Sequence, residues 1–197
     1  KVTVIEILDN NLPVENVEVS QTLTKNFKKR GMEIFTSATV EKAEVKGKKV
    51  VVTISQKGEK KEISADIVLN AIGVVGNVEG FGLEKLGIEL FKNHINVDKR
   101  TYKTNIDNIY AIGDVIGPPW LAHVASAEGI SCIEQIKGLK THAIDYDNIP
   151  GCTYWQPQVA SIGLTEAKAK EKGYSVRIGK FPFMASGKAF AVGEREG

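Results

Sequence analysis

The spacing of apolar and polar residues changes character several times along this chain, and each change marks an element. Residues 1–8 carry Val2, Val4 and Ile5 with no turn before them, which predicts a strand. After a polar turn at 9–13, Val17, Leu23 and Phe27 recur at helical spacing, so 15–30 predicts an amphipathic helix. Lys28, Lys29 and Arg30 suit the negative end of its dipole, and Gly31 is its stop. Residues 32–35 resume as a strand. Three segments, 39–45, 48–56 and 61–64, then alternate like an antiparallel meander turned at Gly47 and Gly58. A continuous apolar run over 65–73, closed by Gly73, predicts a strand covered on both faces.

The pattern shifts near Asn77, where we expect a domain boundary. Leu83 to Leu86 reads as a helical turn closed by Gly87; residues 88–91 are extended, and 93–104 alternate with Ile95 and Val97 inward. Residues 109–112 predict a short buried strand. Past Pro118 and Pro119 a helix opens between Trp120 and His123 and runs to about Lys137, with Ala127, Ile130 and Ile133 at helical spacing and Gly138 as stop. Residues 142–148 form a polar linker. The remainder predicts a strand, a helix capped by Thr165 with Lys168 in place of the acid of a full capping box, and a strand over 174–183. The expectation is an α/β fold.

Composition narrows the function classes. The 197 residues are 42% hydrophobic, enough for one good core or two small ones, and a net charge of +2 gives no electrostatic case for nucleic acid or an acidic surface. Nineteen glycines against six prolines indicate a turn-rich folded chain. No apolar run approaches the roughly 20 residues of a bilayer span, and no signal peptide opens the chain, so a soluble intracellular protein is expected. Cys132 and Cys152 have neither redox-dithiol nor metal-ligand spacing, and both read as reduced, partly buried residues.

Candidate chemistry concentrates where the predicted strand 109–112 ends. Open α/β sheets hold ligands at the carboxyl ends of their strands. Gly113 removes a side chain there, and Asp114 offers an acceptor-only carboxylate suited to a polyol hydroxyl. The helix start after Pro118 and Pro119 adds unpaired N–H groups and a positive dipole end. Together they describe a seat for an electron-rich cofactor edge. Glu6 is a second candidate, an acid at a strand end of the kind that binds adenosine ribose hydroxyls in dinucleotide folds.

These two stretches, TNIDNIYAIGDV at 104–115 and WLAHVASAEG at 120–129, resemble the second flavin-binding motif of the flavoprotein disulfide reductases. The form Leu121-Ala122-His123 is similar to the branch that oxidises dihydrolipoamide. The resemblance runs the length of the chain and implies an internal segment of a longer enzyme. It implies residues 1–77 as the C-terminal part of a Rossmann-like NAD domain with its β-meander, 78–149 as the central segment completing the FAD site, and 150–197 as the start of an α+β dimerisation domain. Asp114 then binds the ribityl hydroxyls of FAD, and Trp120, Leu121, Ala122 and His123 contact the flavin, mainly through backbone groups. Glu6, in the triplet VIE, and Val40 and Gly73 lie against the dinucleotide, with Val40 equally readable as a core valine. A carboxylate at Glu6 repels a 2′-phosphate, so NAD is expected over NADP.

The chain departs from the family in places. Val74, Val75, Gly76 and Asn77 stand where an arginine and a later Pro-Asn are usual, Trp120 replaces a methionine, and Pro157-Gln158-Val159 replaces Pro-Glu-Val. His123 is not expected to shuttle protons, because the family's acid/base histidine belongs to a separate C-terminal segment. Tyr154, Trp155 and Phe183 serve equally as homodimer anchors or as local core. The implied parent activity passes electrons from dihydrolipoamide on the lipoyl domains of a 2-oxoacid dehydrogenase or glycine-cleavage complex through a disulfide and FAD to NAD. The cysteine pair and histidine this needs are not among these residues, so no catalytic residue and no turnover are expected of the segment alone. Two other readings stay open here: another disulfide reductase, such as a transhydrogenase or mercury-reducing enzyme, and a non-catalytic dinucleotide-binding or dimerisation module.

Overall fold

The computed structural model describes residues 1–197, which divide into two compact units: Lys1–Asn70 with Pro150–Gly197, and Ala71–Ile149. In the first, strand β1 (Thr3–Ile5) pairs in parallel with β2 (Glu33–Phe35), Val4 opposite Ile34, and helix α1 (Val17–Lys29) connects them. Leu23 and Ser20 face inward from α1, and the helix carries Glu18 in its first turn and Lys28 and Lys29 in its last, both matched to its dipole. Strands β3 (Ala38–Lys46), β4 (Lys49–Gln56) and β5 (Glu59–Ala65) form the expected antiparallel meander. Ala38, Val52 and Ile54 are its buried side chains, and a bulge interrupts the ladder between Val40 and Lys42.

The C-terminal stretch contributes a hairpin, β6 (Gly151–Thr153) with β7 (Val159–Ser161), helix α2 (Glu166–Glu171) and helix α3 (Gly187–Val192). Thr165 caps α2 as expected, its hydroxyl accepting from the Lys168 N–H at 3.3 Å. Asn16 sits at the N-cap of α1 without a side-chain cap, and its side-chain amide oxygen accepts instead from the Glu166 N–H at 3.0 Å, in the first turn of α2. Trp155 meets Phe27 edge to face at 5.4 Å, and Ser161 donates to Glu15 at 2.8 Å, which ties the hairpin to α1.

The second unit is built from short pieces. A 3-10 turn at Leu83–Leu86 precedes a two-residue hairpin, β8 (Leu90–Phe91) with β9 (His94–Ile95). A 3-10 turn at Gly113–Ile116 leads to the longest helix, α4 (Ala122–Ile136), and a third turn follows at Tyr146–Asn148. Tyr102, Ile116 and Cys132 form the core, with Ile95, Val97, Ala111, Val115 and Ile144 packed against it.

Three expected strands do not form. Beyond Ala65 the run to Gly73 is irregular, and Ile67, Leu69 and Ile72 are 84%, 86% and 94% exposed. Apolar content cannot make a strand without a neighbouring ladder, and no strand of this chain pairs with these residues. Residues 109–112 make a single bridge, Lys103 to Tyr110, because the facing segment offers only the Tyr102 and Thr104 positions before turning. Residues 174–182 are likewise unpaired and irregular.

Candidate functional site

The site grows from the junction of the Gly113–Ile116 turn with α4. Ile112 is extended, and Gly113 then adopts a φ of +72°, which a β-carbon disfavours. A β-carbon at Gly113 would also lie 3.2 Å from the Ala125 side chain, so its absence lets the turn sit directly on the helix. Gly129 does the same one turn further along, where a β-carbon would stand 3.1 Å from the Ile112 side chain. Asp114 is exposed, and its carboxylate has no protein partner.

Leu121, in extended conformation, is the N-cap of α4 and supplies no side-chain cap. Main-chain bonding begins only with Val124 and Ala125, both donating to the Leu121 carbonyl at 3.0 and 3.1 Å. The N–H groups of Ala122 and His123 are thereby left for another acceptor. Trp120 is part-exposed and stacks on His94 at 6.1 Å, whose Nδ1 lies 2.9 Å from the Lys92 carbonyl. Asp114, Trp120, Leu121, Ala122 and His123 therefore belong to one continuous turn-and-helix start in the second unit.

Gly73, also in that unit, is exposed with a φ of +145° and nothing within 4 Å of a notional β-carbon. Glu6 and Val40 belong to the first unit. Glu6 immediately follows β1, and one carboxylate oxygen accepts from the Leu8 N–H at 2.8 Å, leaving further lone pairs for a ligand. Val40 is 48% exposed at the bulge of β3.

The residues that sequence reasoning missed lie beneath the turn. Glu128, 2% exposed, accepts from the Gly113 N–H through Oε2 at 2.6 Å and from the Tyr146 hydroxyl through Oε1 at 2.7 Å. Burial, reinforced by that carboxylate, pushes the Tyr146 phenol far above its ordinary range. Burial likewise raises Tyr102, whose fully buried hydroxyl lies beside Tyr146 and Ser131 without a well-directed hydrogen bond. Lys99 donates to the Ile116 carbonyl at 3.2 Å and sits 5.2 Å from the centre of the Tyr146 ring. Its pKa is lowered by burial, with the Glu128 charge pulling the other way. A signal was available: Val124, Glu128 and Cys132 follow one another at four-residue steps, so the acid lies on the apolar stripe of α4.

The donor set suits a cofactor that is electron-rich at one edge and polyhydroxylated at another. The exposed carboxylate can accept from hydroxyls, and the uncapped helix start can donate to carbonyl or ring-nitrogen acceptors.

A family model described as pyridine nucleotide-disulphide oxidoreductase matches residues 1–129, and one for the dimerisation domain of the same family matches residues 149–197. Among curated relatives, dihydrolipoyl dehydrogenase of Rhizobium etli is 48% identical over the whole chain, that of Bacillus subtilis 43%, and the mitochondrial one of Pisum sativum 39%. The chain spans 41%, 42% and 40% of those proteins' lengths. Among solved structures, LpdA from Mycobacterium tuberculosis matches all of the chain with 42% of its own, at 28% identity and a TM-score of 0.88. The HOCl-induced flavoprotein disulfide reductase RclA from Escherichia coli matches all of the chain with 45% of its own, at 25% identity and a TM-score of 0.87.

Proposed function

The chain belongs to the pyridine nucleotide-disulphide oxidoreductase family, and from that premise we propose that it forms part of an FAD-dependent dihydrolipoyl dehydrogenase. The reaction is oxidation of dihydrolipoamide, carried on the lipoyl domains of a 2-oxoacid dehydrogenase or glycine-cleavage complex, with reduction of NAD⁺ to NADH. The observation that carries the reading is the exposed, unpartnered Asp114 carboxylate beside the uncapped start of α4. FAD, when bound, supplies the two-electron transfer between a dithiol and a nicotinamide.

Each residue has a part in that assignment. Asp114 accepts hydrogen bonds from the ribityl chain. The Ala122 and His123 N–H groups and the α4 dipole favour negative charge at the flavin edge by about 0.3–1 kcal/mol. Trp120 and Leu121 cover that edge and exclude water. Glu6 accepts from the adenosine ribose of NAD and Val40 offers surface to the same dinucleotide, while Gly73 offers open backbone to a cofactor.

On this reading residues 1–77 serve NAD binding, 78–149 complete the FAD site, and 150–197 begin the interface of a homodimer. No helix is long and apolar enough to cross a membrane. Bacterial relatives and a mitochondrial plant relative support a cytoplasmic home, or the mitochondrial matrix in a eukaryote.

Asp114→Ala in the full-length flavoprotein tests the assignment. Losing a charge-assisted hydrogen bond weakens FAD binding by about 10- to 100-fold, read as flavin retained per chain after gel filtration. Unchanged flavin content and activity in that variant remove Asp114 from the site.

A further inference from the structure

Glu128 is buried on a helix face whose neighbouring positions, Val124 and Cys132, are apolar, and burying a carboxylate there is costly unless both oxygens are satisfied. Both are, by groups from two different turns. The Gly113 N–H donates to this side chain and not to a main-chain carbonyl, and the Tyr146 hydroxyl donates to the second oxygen. The contact with Gly113 is one residue from Asp114 and crosses from the interior of α4 to the turn that precedes the helix.

Resting on the flavin reading above, we infer that Glu128 is a positioning residue for FAD: it clamps Gly113 to α4 and so fixes the direction in which Asp114 is presented. Tyr146 completes the clamp by preventing the carboxylate from swinging away. An apolar residue at 128 would fill the space but leave the Gly113 N–H without its partner, and the turn free to shift relative to the helix start. The role differs from packing, because it acts through one backbone hydrogen bond at the cofactor seat.

The test uses the full-length flavoprotein with Glu128→Ala, Glu128→Gln, Asp114→Ala, the Asp114→Ala/Glu128→Ala double variant, and Cys132→Ala as a core control. FAD dissociation constants are measured by reconstituting the apoprotein, alongside the visible flavin spectrum and the melting temperature. Glu128→Ala should weaken FAD by about 10- to 100-fold, the effect of one unmade buried hydrogen bond. Glu128→Gln, whose amide oxygen still accepts from Gly113, should return to within about threefold of the parent, since it leaves that donor satisfied. In the double variant the Glu128 change should add less than about threefold, because two residues acting through one contact are not additive. Cys132→Ala should lower the melting temperature and leave FAD affinity unchanged.

Parent-like FAD affinity in Glu128→Ala, or full multiplication of its effect with that of Asp114→Ala, overturns the clamp. Should Glu128→Ala not fold, Glu128→Asp and Glu128→Gln decide: the shorter acid should bind FAD more weakly than the amide, and the reverse order overturns the inference. Unchanged affinity in Asp114→Ala alone overturns the flavin reading itself, so the two failures are distinguishable.

Discussion

At the scale of single residues, the buried set around Glu128 sets how this chain responds to alkali. The Tyr146 and Tyr102 phenols are both raised, by burial first and, for Tyr146, by the hydrogen bond to Glu128 next. Below about pH 10 folded and unfolded phenols are all protonated, so their contribution to stability is fully present. Above that the unfolded chain ionises first, and stability is lost as pH rises towards the raised folded values. Lys99, lowered by burial, acts in the opposite sense, adding stability as pH climbs to its ordinary value of 10.5. Urea midpoints should therefore fall steeply between about pH 10.5 and 12, and Tyr146→Phe should fall less steeply over the same range. An unchanged slope in the variant would mean that Tyr146 is solvated in the folded chain.

At the scale of elements, local pattern succeeded where local hydrogen bonds suffice and failed where a partner was needed. Helices α1 and α4 satisfy their own backbones, so periodicity and end residues placed them to within a few positions. The β3–β4–β5 meander also formed as expected, because hairpin turns bring its strands together. Residues 66–73 are as apolar as β4 yet form no strand, since no strand of the chain pairs with them. Within the meander, Ile54 is 1% exposed at the centre of the sheet while Val45 is 79% exposed on an edge strand. Ile54→Ala should cost about 2–5 kcal/mol in denaturant unfolding. Val45→Ala should stay within about 0.5 kcal/mol, and equal losses would mean that the sheet has no inner face.

At the scale of the molecule, the chain divides into two units whose apolar surface is far from fully covered; besides Ile67, Leu69 and Ile72, exposed residues include Phe181, Phe183 and Phe190. The irregular, exposed stretch between Asp66 and Val75 is accessible to proteolysis, and limited digestion with the broad-specificity proteinase K should cut there before it cuts within β4 or α4. First cuts inside β4 would contradict the pairing described. The sequence by itself determined the α/β class, the main helices and the meander, and the line Gly113-Asp114 to Leu121-Ala122-His123 that marks the family, because each is written in near neighbours: period, turn residue, helix start. Only the tertiary structure decided which apolar runs become strands and what holds the Gly113 turn. Those outcomes depend on groups brought together across 15 and 18 residues, Gly113 and Tyr146 on Glu128, and a hydrogen bond between distant residues leaves no period in the chain to read.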